Sequence, residues 1–482
     1  MKNVCLSPGS RNTPLTIAFA QNPKFKKYIH ADERSSGFFA LGLSKYYNES
    51  VAVVTTSGTA VAELYPSIIE AYYQRISLII CTADRPAFLR ETGANQTINQ
   101  SNIFGNHIRH FKDFGLPSLN EKKLKIFASQ VSRGISIGET LDKGPIHFNF
   151  PFKKPLEPNT YSDEIPFNIK EYLVKESIKY PKRGKDGLKR LILGLKKADR
   201  PLIHIGWGTF NPKIYVKLLN FSKKYKVPIL ADGTTDIRFM KNNDALIISN
   251  HSSFLNFLPN DSDLIIQFGN APTSASMLKY MEKTRAKRFL INEFGDRKDP
   301  SKKKGYLLKS DPSEVIDLLL QSKIDRNWKW WSEEVIQKER ESEAIKSIIK
   351  KAKFGNESRI IMELLNRIPE NSNIFLSNSL PIRDFDYFAS VTERNLKVFV
   401  NRGASGIDGI ISTASGIAAN SKMQTYLVIG DLAFYHNVSA LSTLNEYNIP
   451  LKIILINNSG GNIFRMLPVS NEKKYFKEYF IT

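Results

Sequence analysis

The chain has 482 residues, 41% hydrophobic and 11% aromatic, with 69 Lys and Arg against 47 Asp and Glu for a net charge of +22. Apolar content on this scale supports several packed cores and excludes a largely disordered chain; no run approaches the roughly 18 uncharged apolar residues of a membrane-spanning helix. Its two cysteines, Cys5 and Cys81, lie in apolar runs, which excludes a disulfide framework and a thiolate metal site.

The opening MKNVCL predicts no secretory leader, and with the cysteine usage this places the protein in a reducing, cytoplasmic setting. The lysines fall in short runs at 24–27, 122–125, 179–197 and 302–304, among polar stretches. No zinc-finger spacing, RNP-like strand or basic coiled coil accompanies them. They predict a solvated surface and a cationic field for small anions, not a nucleic-acid interface.

Residues 1–152 alternate apolar runs with amphipathic segments. A strand at 51–54 (VAVV) is followed by TTSGT at 55–59 and a helical pattern over 60–73. Further strands are expected at 78–80 and at 146–150, the latter closed by Pro151. Continuous apolar strands between helices predict a parallel sheet covered on both faces. Residues 153–186 are polar and read as a linker. A second α/β domain spans 187–326, with strands at 202–205, 228–230 and 264–268. Gly206-Trp-Gly208 opens like a dinucleotide loop, but Asn211 stands where the third glycine belongs, so no nucleotide site is expected there. Residues 327–355 form a charged, helix-favouring linker with a Trp cluster. The third domain, 356–482, has strands at 374–375, 398–400, 425–429 and 452–456. The chain thus reads as three doubly wound parallel-sheet α/β domains.

In the third domain, the strand at 425–429 ends in Gly430-Asp431 and the strand at 452–456 ends in Asn457-Asn458-Ser459-Gly460-Gly461. The C-terminal edge of a parallel sheet is where ligands bind. Asp431, Asn458 and the Gly460 carbonyl offer hard oxygen donors, which suit Mg²⁺ completed by phosphate oxygens. Either dipeptide alone is also ordinary turn chemistry. Together, at a separation of 27 positions, they resemble the magnesium–diphosphate motif of thiamine-diphosphate enzymes, with one departure: Leu432 stands where glycine is usual. Such an enzyme needs a carboxyl group that shares a proton with the cofactor's aminopyrimidine ring. Glu33 fits, after a strand-like stretch at 28–31 and at the head of a helical run at 34–45; the plainer reading is that Asp32 caps that helix and Glu33 complements its dipole.

Further motifs narrow the resemblance. They are PGSRNTP at 8–14, DER at 32–34, TSGTA at 56–60, TADRP at 82–86, GANQ at 93–96, NSLPIR at 378–383, NRGASGIDG at 401–409 and NSGGNIF at 458–464. Together they are similar to the 2-succinyl-5-enolpyruvyl-6-hydroxy-3-cyclohexene-1-carboxylate (SEPHCHC) synthases, the MenD family of thiamine-diphosphate enzymes.

The resemblance implies a fold of pyrimidine-binding (1–152), central (187–326, without cofactor) and diphosphate-binding (356–482) domains. It implies decarboxylation of 2-oxoglutarate on thiamine diphosphate, with addition of the succinic-semialdehyde carbanion equivalent in a 1,4 sense to isochorismate, a step of menaquinone biosynthesis. Mg²⁺, with Mn²⁺ as an alternative, anchors the diphosphate through Asp431, Asn458 and Gly460. Glu33 is the catalytic carboxyl group. Ser57 and Ile407 contact the cofactor, Ile407 wedging between its rings; for Ser57 a plain helix-cap role stays open. Arg11, Arg85, Asn95, Gln96, Ser379, Arg383 and Arg402 line the substrate site, walled by Ile463, Phe464 and Leu467. Arginine suits the carboxylates of both substrates because it binds them through paired hydrogen bonds. The assembly implied is a homodimer or tetramer with active sites at the subunit interface. In this family, further strand and helix elements continue beyond the cofactor motif, so a shortened third domain and an inactive homologue stay open, as does an acetolactate-synthase-like or simple 2-oxoacid decarboxylase.

Overall fold

A computed structural model describes residues 1–481 except 158–167, 174–183, 209–210, 242–245, 259, 302–304 and 352–355. The lysine run at 302–304 and much of the 153–186 linker lie outside the described residues. No helix among the described residues is long and apolar enough to cross a membrane.

The chain divides into two compact units: 1–178 with 401–427 and 431–453, and 179–400 with 428–430 and 454–482. In the first, β1 (Asn3–Ser7), β2 (Lys26–Ile29), β3 (Val51–Thr55), β4 (Leu78–Asp84), β5 (His110–Asp113) and β6 (Ile146–Pro151) form a parallel sheet ordered β2-β1-β3-β4-β6-β5. Every residue of β1, β3 and β4 is buried, so these strands are continuous apolar runs and not alternating ones. Cys5 and Cys81 are buried in β1 and β4, where burial pushes both thiols up. The half-buried β5 was not legible, because its HFKD has no apolar run. The helical pattern at 60–73 forms two helices, Thr59–Glu63 and Tyr65–Gln74, which break at Leu64 ahead of Pro66.

The same unit packs the helix Glu33–Tyr47 against the helix Ile410–Ala418. The two backbones nearly touch: a Cβ on Gly42 would lie 2.1 Å from the Thr413 carbonyl oxygen, and one on Gly416 would lie 2.1 Å from that of Phe39. Only glycine permits this approach.

In the second unit, β7 (Pro201–Ile205), β8 (Ile229–Ala231), β9 (Ile247–Ile248), β10 (Leu264–Phe268), β11 (Lys287–Asn292) and β12 (Tyr306–Lys309) form a parallel sheet ordered β12-β11-β10-β7-β8-β9. A Cβ on Gly206 would fall 1.8 Å from the Asn270 carbonyl oxygen. That glycine therefore serves a close approach of the chain to itself. The helix Lys329–Ile349 is anchored by Trp328 and Trp331, both buried in the core of this sheet, whose Nε1 atoms donate to Ala198 O (2.9 Å) and Pro201 O (3.0 Å). A third sheet, ordered β14-β13-β15-β16, consists of β13 (Asn373–Leu376), β14 (Lys397–Val400), β15 (Thr425–Gly430) and β16 (Leu451–Ile456).

Arg238 ties the second unit together. Fully buried, it donates to the carbonyls of Ala231 (2.7 Å), Asp386 (3.0 Å) and Ala389 (2.9 Å) and pairs with the Asp386 carboxylate at 3.1 Å. Arg238→Ala strands these acceptors away from water. It is expected to destabilise the protein by about 3–5 kcal/mol, read as a lowered urea midpoint.

Candidate active site

The first sheet changes direction at β1, which lies between β2 and β3, and such a switch point opens a crevice at the strands' C-terminal ends. Arg11 follows β1, Glu33 follows β2, Ser57 follows β3 and Arg85 follows β4. Four residues far apart in sequence are thereby delivered to one edge.

Arg11 sits in the short 3-10 helix Ser10–Asn12. Asn12 braces this turn, donating to Ser7 O (2.9 Å) and accepting from Gly9 N (2.8 Å). The Arg11 Nη1 donates to Phe152 O at 2.8 Å, and its Nε is buried without a partner among the described residues. Arg85 donates to Ser57 Oγ and, at 2.8 Å, to Asn95 O. Ser57 Oγ donates to Gln96 O (3.2 Å), and Gln96 Nε2 returns a bond to Ser57 O (3.0 Å). Arg11, Ser57, Arg85, Asn95 and Gln96 thus form one cluster. The neighbouring Asp84 carboxylate offsets part of its charge while bonding Arg90 (2.7 Å) and Asn149 (2.9 Å). Burial, with the positive charge of Arg85 close by, holds the Arg11 guanidinium below its usual range. A buried Arg11 with a partly exposed Arg85 close by suits an anion.

Gln100 escaped the sequence reading. It accepts from Gly58 N (3.2 Å) and donates to Ala83 O (2.9 Å) and Asn149 Oδ1 (2.9 Å), so it fixes the turn carrying Ser57. A buried glutamine in a loop gives no sequence signal of its own.

Asp32 is the N-cap of the helix Glu33–Tyr47, accepting from Ser35 N at 3.1 Å. Glu33 is the first helical residue, half-buried, and burial together with the charges of Asp32 and Glu63 raises its carboxyl above the usual range. A carboxyl group held this way keeps a proton more readily, as a proton-sharing role requires. Arg402 and Ile407 lie on the loop after β14, both partly buried. Asp431 is buried at the end of β15, its Oδ1 accepting from Leu432 N at 2.8 Å. A Cβ on Gly430 would meet nothing within 4 Å, so there is open space beside Asp431.

In the second unit, Ser379 follows β13 with φ 73°, a strained conformation for a non-glycine residue, and Arg383 Nη1 donates to its carbonyl at 2.5 Å. Asn458 follows β16, and its Nδ2 donates to Glu357 Oε1 at 2.8 Å. Its other side-chain atom, Oδ1, is the one a cation would take. The Gly460 carbonyl accepts from Asn462 N at 2.7 Å. Ile463 and Phe464 lie in the 3-10 helix Asn462–Met466, with the Phe464 ring 5.6 Å from Phe480; Leu467 is exposed. Glu357 was missed in sequence, as was its neighbour Asp384, which burial and the Glu357 carboxylate push up to about 7.

Residues 1–103 match the family model "Thiamine pyrophosphate enzyme, N-terminal TPP binding domain", and residues 387–481 match "Thiamine pyrophosphate enzyme, C-terminal TPP binding domain". The chain is 35% identical to 2-succinyl-5-enolpyruvyl-6-hydroxy-3-cyclohexene-1-carboxylate synthase of Bacillus velezensis, over 98% of this chain and 83% of the relative. It is 34% identical to the enzyme of that name from Bacillus cytotoxicus, over 100% of this chain and 83% of the relative. The chain belongs to the SEPHCHC synthase family. Among solved structures, it resembles the Rhodococcus jostii thiamine diphosphate-dependent 4-hydroxybenzoylformate decarboxylase, with TM-score 0.70 and 14% identity over 98% of this chain and 86% of that one. That likeness carries the fold: three parallel-sheet α/β domains of the thiamine-diphosphate enzyme type.

The residues present in this SEPHCHC synthase family member fit the cofactor. Asp431 in the first unit offers a carboxylate, and in the second unit Asn458 offers an amide oxygen and Gly460 a carbonyl; each is a donor type that suits a hard cation completed by phosphate oxygens. The open space at Gly430 admits a bulky group beside Asp431.

Proposed function

We propose that this protein is the SEPHCHC synthase of menaquinone biosynthesis, acting on 2-oxoglutarate and isochorismate with Mg²⁺ and thiamine diphosphate. The observation that carries this reading is the Arg11–Arg85 pair at the same strand edge as Glu33, because both substrates are dianions. In the overall reaction, the C1–C2 bond of 2-oxoglutarate breaks, C1 leaves as CO₂, and C2 bonds to the conjugate position of isochorismate. When bound, thiamine diphosphate supplies the carbon nucleophile and the electron sink for that exchange.

The chain's own residues do the rest. Arg11 and Arg85 bind and orient carboxylates, and Ser57, Asn95 and Gln96 contribute neutral donors and acceptors beside them. Arg383 and Arg402 hold further carboxylate charge, and Ser379 sets the turn from which Arg383 projects. Glu33 holds and passes a proton at its carboxyl oxygen. Ile407 would pack against the cofactor when it is bound, and Ile463, Phe464 and Leu467 would exclude water. Asp431, Asn458 and the Gly460 carbonyl hold the cation, Mg²⁺ or Mn²⁺. The domains are assigned as 1–152, 187–326 and 356–482, and the working form is a cytoplasmic homodimer or tetramer with sites completed between subunits.

The test is CO₂ release from 2-oxoglutarate with Mg²⁺ and thiamine diphosphate, with and without isochorismate. Release that depends on isochorismate and consumes it in equal amount supports the reading. Turnover of pyruvate as the preferred donor replaces it with an acetolactate-synthase-like activity. Arg85→Ala removes charge-assisted bonds to substrate and is expected to raise the KM of the dianionic donor by roughly 10–100-fold, with a smaller effect on kcat, in steady-state kinetics.

A further inference from the structure

Helix Tyr65–Gln74 carries a glutamate on its buried face. Glu70 is 2% exposed, between Ile68 and Ala71, which are fully buried. Buried carboxylates persist only where hydrogen bonds or cations compensate them. Here the compensation comes from one loop. One carboxylate oxygen accepts from Gly403 N and the other from Ala404 N, each at 2.7 Å. Gln74 Nε2 adds a third bond. The fit is close on the loop side as well: a Cβ on Gly403 would lie 2.6 Å from the Glu70 main-chain oxygen.

The same loop is held at both ends. Asn401 accepts from Lys45 Nζ (2.8 Å) and donates to Thr413 Oγ1 (3.0 Å). Gly409, at φ 62°, lies against the Phe38 ring, which a Cβ there would approach to 2.0 Å. Burial pulls the Lys45 ammonium down to about 7 while the Glu70 carboxylate pushes it back up, so the two charges sense each other. Between these anchors, the stretch 402–408 bridges a cavity of about 190 Å³ lined by Phe38, Ile69, Glu70 and Asp408, among others. It is neither helix nor strand, and it bears Arg402 and Ile407.

We propose that Glu70 is a positioning residue of the active site: by clamping the Gly403 and Ala404 amides, its carboxylate sets the place of Arg402 toward substrate and of Ile407 toward cofactor. The proposal rests on the functional reading above, because it takes the roles of Arg402 and Ile407 from it. A carboxylate that accepts from two consecutive amides fixes the orientation of both peptide units.

The test uses the full chain with Glu70→Ala and the isosteric Glu70→Gln, which keeps one acceptor oxygen. Three quantities are read: KM and kcat, thiamine-diphosphate affinity by tryptophan fluorescence at fixed Mg²⁺, and amide exchange of peptides spanning 401–409. Glu70→Ala is expected to raise the KM of the dianionic substrates by roughly 10–100-fold, as for lost charge-assisted bonds, and to speed exchange at 401–409 while β7 is unchanged. Glu70→Gln is expected to fall between wild type and Glu70→Ala in each quantity, a graded order that a purely structural role does not produce. Wild-type KM, cofactor affinity and exchange in both variants overturn the proposal. If Glu70→Ala does not fold, Glu70→Gln decides alone: wild-type values in it overturn the proposal, and raised KM with faster exchange supports it. If the wild-type enzyme shows no isochorismate-dependent release, the functional reading fails, and cofactor affinity and exchange still decide whether Glu70 sets the loop.

Discussion

Glu33→Gln is expected to bind thiamine diphosphate and Mg²⁺ as the wild-type chain does and to turn over about 10²–10⁴-fold more slowly, the range lost when a positioned acid–base group is removed. The amide keeps the shape of the carboxyl group and its place at the head of the helix Glu33–Tyr47, beneath the Asp32 cap. It cannot pass a proton. The direct readout is deuterium exchange at the thiazolium carbon of bound cofactor, which should slow in step with kcat. Full turnover by this variant would remove Glu33 from the mechanism. Asp32 is a poor substitute for the role, because its carboxylate is occupied by Ser35 N (3.1 Å), Ser35 Oγ (3.0 Å) and Ser439 Oγ (2.7 Å), and these bonds hold its carboxyl below the usual range. The two adjacent acids are pushed in opposite directions by their surroundings: hydrogen bonds favour the charged form of Asp32, and burial disfavours that of Glu33.

Asp431→Ala removes the only carboxylate assigned to the cation. Outer-shell replacements at metal sites lower affinity about 10–100-fold, so loss of a direct charged ligand is expected to weaken Mg²⁺-dependent cofactor binding by more than about 100-fold. Fluorescence titration of thiamine diphosphate at fixed Mg²⁺ measures it. The melting curve without cofactor should change little, because Asp431 begins a short helix of six residues. Cofactor binding equal to wild type would move the cation site elsewhere. Asn458 offers a graded comparison: Asn458→Ala removes an uncharged donor and should weaken binding less than Asp431→Ala.

Both predictions concern residues placed by the same device. In a parallel sheet every strand runs the same way, so all the C-terminal ends open on one edge. Ser379, Arg402, Asp431 and Asn458 follow β13, β14, β15 and β16, as Arg11, Glu33, Ser57 and Arg85 follow β1 to β4. The chemistry is written in the short segments after strands. The strands themselves carry uniform apolar sequence, such as VAVV at 51–54 and LII at 78–80.

That separation explains what was legible. The buried strands β3, β4, β7, β10 and β15 announce themselves as unbroken apolar runs because both of their faces are covered. The post-strand motifs announce themselves because glycine, proline and polar residues cluster there. Parallel α/β organisation therefore follows from sequence alone, and so does the proposal of which residues form the site. The tertiary structure decided what depends on partners far along the chain. It gave Gly206 a packing role, since the atom that demands glycine there is the Asn270 carbonyl oxygen. It set the helix 329–349 on the central core through Trp328 and Trp331, although the charge of the segment reads as a linker. It showed that the Asp84 side chain bonds Arg90 and Asn149 while its charge offsets part of that of Arg11 and Arg85. It also gave Glu70 its partners, 333 and 334 positions away. Local pattern reports whether a residue is buried and what backbone it prefers. Whether a buried charge is compensated, and by which atoms, is a property of contacts that only the folded chain brings together.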